Sequence, residues 1–324
     1  MLKLYRWPTD DWKQIGEKLP PEIIWIDLIN ASEEEKRFVE TRLKVRVPSE
    51  EELSEIEASS RLVFEHGTLY LSSPAVRIDD HKEAQLTSIG FVIGPRVLVT
   101  VRFWPLPTFD TVAKQMATDA DLQNGMCVFV SILEAMVDRG ADVMEQLGVT
   151  ADGLSRSVFK GGLVRSKRPV RSSRRMREAL ESVGALAERL AKARDVLLNV
   201  GRIGAYAGEI GSEWITPASK KRLDAVSKDV VSLSDYESRL SDKIQLLLDA
   251  VLGFINIQQN DLFKILTIVS VVGVPPTILV GIWGMNFKVM PELSWTFGYP
   301  LALFAIVASG VLPLLWFKWR GWFD

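Results

Sequence analysis

Residues 265–283 and 293–317 carry no charged side chain. Each run approaches the roughly 20 apolar residues that cross about 30 Å of hydrocarbon. Only Gly284-Met285-Asn286-Phe287-Lys288-Val289-Met290-Pro291-Glu292 separates them. A loop of that length can reverse the chain at one membrane surface and do little else. The C-terminal region is thereby confined to a helical hairpin, because lipid satisfies no backbone group. Gly284-Met285-Asn286 falls where the first run ends, placing helix-end carbonyls and one neutral amide at the mouth of a membrane helix. Irregular backbone at that depth must be covered by protein or face water. Several copies of the hairpin around an axis would meet that rule and enclose a pore.

The 324 residues suffice for a soluble domain of ordinary size plus a membrane anchor. A formal net charge of −2 gives no global field that would draw nucleic acid. The single cysteine, Cys127, excludes an intrachain disulfide framework and reads as a small helix-core residue between Met126 and Val128. The first residues lack a signal peptide's apolar stretch, so the large N-terminal part is expected in the cytoplasm. Two spans then return the C-terminus to the same side of the inner or plasma membrane. Lys318, Arg320 and Lys264 flank the spans on that side, and the far loop holds only Lys288, as the positive-inside rule asks. His66 and His81 are the only histidines, and the chain has no Cys/His metal spacing, Walker loop or dinucleotide fingerprint. No enzyme is predicted.

Residues 1–107 read as an α/β domain. A strand is predicted at 22–28. Ser32/Glu35 and Ser49/Glu52 are spaced as capping boxes. Strands 61–65 and 68–72 flank His66-Gly67, and strands 87–93 and 96–103 flank Gly94-Pro95. Residues 108–218 read as antiparallel helices, with Met126, Val130, Leu133, Val137, Val143, Met144 and Leu147 on one face. Basic residues crowd 160–177. They suit a solvated helix hairpin, or a collar beside anionic headgroups if close to the membrane. From Leu223 to Phe254, apolar residues follow three- and four-residue steps, interrupted at Glu237. Such a seam marks helices packing around one another. One long helix, 219–283, is predicted, its first half assembling with its copies and its second half lining the pore.

The chain resembles the CorA family of divalent-cation channels. The resemblance is carried by Trp-Gly-Met-Asn-Phe (283–287), Met-Pro-Glu-Leu (290–293) and Phe-Gly-Tyr-Pro (297–300). Gly-Phe-Ile-Asn-Ile-Gln-Gln-Asn (253–260) and Val-Pro-Pro-Thr (274–277) extend it upstream. Trp-Ile-Asp-Leu (25–28) and Glu-Leu-Ser-Glu-Ile-Glu-Ala-Ser (52–59) resemble the family's N-terminal domain. The resemblance implies a homopentameric, funnel-shaped channel. It would combine a cytoplasmic α/β domain, a long stalk helix, a two-helix transmembrane hairpin joined by the loop 284–292, and a cytoplasmic tail, 318–324. The transported ion would be Mg²⁺, with Co²⁺ and Ni²⁺ as further cargo, and the partners further copies of the chain and the bilayer.

Magnesium holds its waters tightly, so a filter for it should present oxygens to the hydrated ion. Gly284, Met285 and Asn286 are the expected filter: helix-end carbonyls and a neutral amide accept hydrogen bonds without trapping the ion. The resemblance adds Asn260 and Thr277 as polar pore positions, and Phe263 and Leu266 as an apolar constriction that gates by dewetting. Pro275 and Pro276 remove backbone donors mid-helix. At the outer mouth, Lys288 stands where the family is often acidic and offsets Glu292. The tail is less basic than usual for the family, and its Trp319 and Trp322 suit the interface belt. The family closes when Mg²⁺ bridges acidic residues between neighbouring cytoplasmic domains. Asp224 and Asp229 on the stalk, facing Asp79 or Asp80, are the candidates here. Two alternatives stand beside this reading. One is the family's Zn²⁺-transporting ZntB branch, which typically has a Gly-rich loop where this chain has residues 287–292. The other is a non-transporting membrane scaffold, which would need no polar groups on the inner face of the first span.

Overall fold

The computed structural model describes residues 1–6, 12–15, 18–55, 61–78, 84–116, 122, 124–159, 169–286, 288 and 290–322, without the side chains of 169–173, 292 and 293. The chain divides into two units, one comprising Met1–Lys160 with Leu180–Leu248 and the other Gly161–Ala179 with Asp249–Asp324.

The first unit is built on a six-stranded sheet. Its strands are β1 (Leu2–Tyr5), β2 (Trp25–Ile29), β3 (Leu62–Glu65), β4 (Thr68–Ile78), β5 (Ala84–Ile93) and β6 (Leu98–Arg102), in the spatial order β1-β2-β6-β5-β4-β3. Among the described strands only β2 and β6 pair in parallel. The predicted hairpin at His66-Gly67 joins β3 to β4. Both turn residues have positive φ, 50° and 76°, the geometry of a two-residue turn that matches strand twist. Both predicted capping boxes form, on α1 (Glu33–Leu43) and α2 (Glu50–Ser54).

Strand alternation sorts side chains between two cores. Ile26, Leu28, Val92, Val99 and Val101 point to a layer closed by Val39 and Leu53 of α1 and α2. Trp25, Phe91, Ile93 and Leu98 point the other way. That second layer is covered by α3 (Pro107–Gln115), α4 (Gly125–Phe159), α5 (Pro169–Ile210) and the first part of α6 (Pro217–Trp283). The predicted face of α4 is buried except for Val143, which is half-buried. A polar ladder crosses the sheet: Trp25 Nε1 donates to Thr100 Oγ1 at 2.9 Å, and Thr100 Oγ1 donates to Asp27 at 2.7 Å. Arg102 pairs with Asp27 at 2.8 Å, both side chains fully buried.

The seam of α6 is resolved differently from the expectation. Leu223, Val226, Val230, Leu240, Ile244, Leu247 and Val251 are buried within the single chain. Leu223, Val226 and Val230 join the core formed with α4 and α5. Arg222 reaches back to Glu134 and Ser131 on α4, and Lys243 pairs with Asp152. Glu237, the interruption, is buried 3.7 Å from Arg194 of α5. A three-four spacing specifies an apolar stripe and leaves its partner open; here the partners are the chain's own helices.

In the second unit, the last part of α6 faces α7 (Gly298–Trp319). The second span was expected at 293–317. The helix instead starts at Gly298, after a 3-10 turn at Pro291–Ser294, and runs to Trp319. Pro300 falls in the first turn, where a missing N–H costs nothing. Both helices are long and apolar enough to cross a membrane, and 0% and 6% of their apolar windows are buried within the chain. Of the basic segment, 160–168 and the side chains of 169–173 lie outside the described residues. Arg174, Arg175 and Arg177 are exposed on α5, with Arg174 pairing Glu178 at 2.9 Å.

Candidate functional site

An α-helix turns about 100° per residue, so α6 presents distinct sides to α7 and to its surroundings. Ile268, Val272, Pro276, Leu279 and Trp283 are half-covered and lie on one side. A Cβ built on Gly310 of α7 would sit 3.5 Å from Pro276 Cγ and 3.7 Å from the Val272 carbonyl oxygen, fixing this side as the packed one. The adjacent prolines strip hydrogen-bond donors from the carbonyls of Val271 and Val272, and the second of these carbonyls is the one Gly310 approaches.

Phe263, Ser270, Thr277 and Gly284 are spaced by sevens and are all exposed. Asn260 and Leu266 flank them, also exposed, with Leu266 at 62% and Phe263 at 65%. Their mean direction is about half a turn from the α7-facing side. All the expected pore positions on α6 thus share one free face. Continuing by sevens, Asn256 and Asp249 extend it.

Thr277 Oγ1 donates to the Gly273 carbonyl at 2.8 Å, and Thr267 Oγ1 to that of Phe263 at 2.8 Å. Each hydroxyl keeps lone pairs that can accept from a water. Ser270 makes no such bond among the described residues. It was not among the positions expected from the sequence, although the seven-residue step from Phe263 to Thr277 passes through it.

At the end of α6, Gly284 N–H donates to the Val280 carbonyl at 2.9 Å and Met285 N–H to that of Ile282 at 3.3 Å. The helix thus closes without a left-handed residue, since only Gly67 and Gly321 among the described glycines have positive φ. Met285, Asn286 and Lys288 are exposed; the side chain of Glu292 lies outside the described residues.

The acidic candidates are not brought together. Asp224 and Asp229 are exposed on α6, while Asp79 and Asp80 lie outside the described residues. Asp229 instead belongs to the surroundings of Asp138 on α4. Burial first, then the carboxylates of Glu134, Asp142 and Asp229, raise the Asp138 carboxyl above the ordinary aspartate range. Among the described residues no group of three or more His, Cys, Asp or Glu side chains is placed to hold a metal ion.

A family profile described as CorA-like Mg²⁺ transporter protein matches residues 21–319. The chain is 30% identical over 301 residues to the magnesium transport protein CorA of Mannheimia succiniciproducens, covering 92% of each chain. It is 28% identical over 312 residues to the protein of that name from Haemophilus ducreyi, covering 95% of each. The fold matches the complete structure of the CorA magnesium transporter from Methanocaldococcus jannaschii with a TM-score of 0.73 at 17% identity, over 99% of this chain and 98% of that one.

Proposed function

The chain belongs to the CorA-like Mg²⁺ transporter family, a family of membrane transporters rather than enzymes, and from that premise we propose that it is a Mg²⁺ uptake channel. The observation that carries the reading is the free face of α6. Asn260, Phe263, Leu266, Thr277 and Gly284 lie there together, turned away from α7. Polar and bulky apolar groups sharing a lipid-length helix face have a physical use where copies of that face surround water. A pentamer built around these faces would stack an amide ring at Asn260, an apolar throat at Phe263 and Leu266, a hydroxyl ring at Thr277, and the filter at Gly284, Met285 and Asn286.

In that assembly the ion keeps its waters, and Asn286 and the helix-end carbonyls accept hydrogen bonds from them. The neutral ring attracts without trapping. Lys288 at the mouth weakens electrostatic concentration of cations there. With both termini in the cytoplasm, a divalent cation entering through 100 mV gains about 2 × 2.3 kcal/mol. No coupled ion is needed, and accumulation reaches roughly a thousandfold. A channel with such a gradient needs a closed state. Closure by intracellular Mg²⁺ between cytoplasmic domains is the family's device, and the exposed Asp224 and Asp229 are the groups this chain offers toward it. Co²⁺ and Ni²⁺, with similar hydrated radii, are the further cargo.

The test is ion flux into proteoliposomes holding a Mg²⁺-sensitive dye under a negative-inside potential, for wild type and Asn286→Ala. Potential-driven Mg²⁺ entry that disappears in the variant supports a channel with this filter. Zn²⁺ flux that follows a pH gradient, without Mg²⁺ entry, moves the chain to the ZntB branch. Silence for every ion in a well-inserted oligomer leaves a scaffold.

A further inference from the structure

The first unit holds a cavity of about 320 Å³ between β4, β5, α4, α5 and the segment 104–109. Its inner wall is made of core side chains, among them Ile89, Leu106, Phe109 and Met136, all nearly or fully buried. Among the described residues its charged lining is Arg77 and Arg139, with no carboxylate. The Arg77 guanidinium lies over the Trp104 ring at 3.9 Å, with Nη2 donating to Gln85 at 2.7 Å. The other N–H groups of Arg77 take no partner among the described residues, and neither does the Arg139 side chain. The nearby carboxylates of Asp138 and Asp142 line the adjoining cleft, which shares Arg139 with this cavity.

We propose that this cavity binds a small organic carboxylate with an aromatic or other apolar body, its head group held by Arg77 and Arg139. The volume is at the lower end of the roughly 300–1,000 Å³ typical of small-molecule sites, which suits a bicyclic or medium-chain body. An apolar lining with a few convergent polar groups is the usual composition of such sites. Planar guanidinium groups match a carboxylate's two oxygens. A guanidinium held flat on an indole is oriented before the ligand arrives, so less freedom is lost on binding. A cation would meet two like charges, and a neutral apolar molecule would offer no acceptor to the remaining N–H groups of Arg77 or to Arg139. This proposal is independent of the ion path, which involves other residues.

Calorimetry on the full chain in nanodiscs, with empty nanodiscs subtracted, tests it. The probes are 2-naphthylacetate and its neutral analogue 2-naphthaleneethanol. One acid per chain is expected, with the alcohol about tenfold weaker or more, the difference made by a charge-assisted hydrogen bond. Arg77→Gln and Arg139→Gln each weaken the acid about tenfold and leave the alcohol unchanged. Val143→Phe, which fills the cavity from the α4 side, abolishes both. Absence of saturable binding, equal affinity for acid and alcohol, or binding that survives Val143→Phe in a folded protein overturns the proposal. The two arginine variants carry the test on their own if Val143→Phe does not fold.

Discussion

Gly201 of α5 packs directly on Val230 of α6: a Cβ built on Gly201 would lie 2.9 Å from Val230 Cγ1. The contact shows where the long helix puts its apolar seam, against its own chain. Gly201→Leu is therefore expected to overpack this interface, with a loss of about 1–3 kcal/mol. Gly184, on the same helix, has no atom of the described residues within 4 Å of the position a Cβ would take and serves as the control: Gly184→Ala should gain about 0.5–1 kcal/mol. Thermal unfolding of the two variants separates the outcomes, and equal midpoints would refute close packing at Gly201.

The Asp27–Arg102 pair is enclosed at the middle of the sheet. Asp27→Ala leaves a guanidinium buried without its partner, at an expected loss of about 3–5 kcal/mol. The double variant Asp27→Leu/Arg102→Met removes both charges and should recover most of that loss. A double variant no more stable than Asp27→Ala would show that the ladder through Thr100 and Trp25, rather than charge burial, sets the stability here.

Along the proposed ion path, Phe263 and Ser270 have opposite expected effects. Phe263→Ser wets the constriction and should raise Mg²⁺ flux severalfold, including when internal Mg²⁺ is high. Ser270→Leu lengthens the apolar stretch between Leu266 and Thr277 and should lower flux severalfold. Proteoliposome flux at matched protein insertion measures both. Unchanged flux in the two variants would place this face outside the permeation path.

Asp138 gives a pH dependence of defined sign. Its carboxyl is raised in the folded state by burial and by Glu134, Asp142 and Asp229, so the native chain binds that proton more tightly than the unfolded one. The associated destabilisation is complete above the raised value and disappears below the ordinary value of 3.8. Asp138→Asn should raise the unfolding midpoint at pH 7.5 by about 1–2 °C, as for a surface substitution. The advantage should vanish as the pH falls below 3.8. An advantage independent of pH would point to a cause other than charge.

Much was legible from local chemistry. The absence of charge from Ile265 onward was enough to mark a membrane helix, because the cost of taking a charged side chain into hydrocarbon outweighs local helix preferences, and Gly284-Met285-Asn286 marked its end at Trp283. Ser32 with Glu35, and His66 with Gly67, encode their cap and turn within a few residues, and both formed. The start of the second helix is not legible in the same way, since Leu293 to Phe297 are apolar enough for lipid while Pro300 fixes the helix start further on.

The sequence by itself determined the capped helices, the His66-Gly67 hairpin, the two uncharged runs and the seven-residue step through Phe263 and Thr277, because burial, capping and periodicity act over short stretches of chain. The tertiary structure decided what each face meets. It turned Leu223, Val226 and Val230 onto α4 and α5, set Gly310 against Val272, and so left Ser270 on the open side of α6. It also gathered Arg77, Trp104 and Arg139 around one cavity. A stripe of apolar residues fixes the direction in which a helix must be covered; which helix covers it depends on shape and close approach between segments far apart in the chain, and no local pattern carries that information.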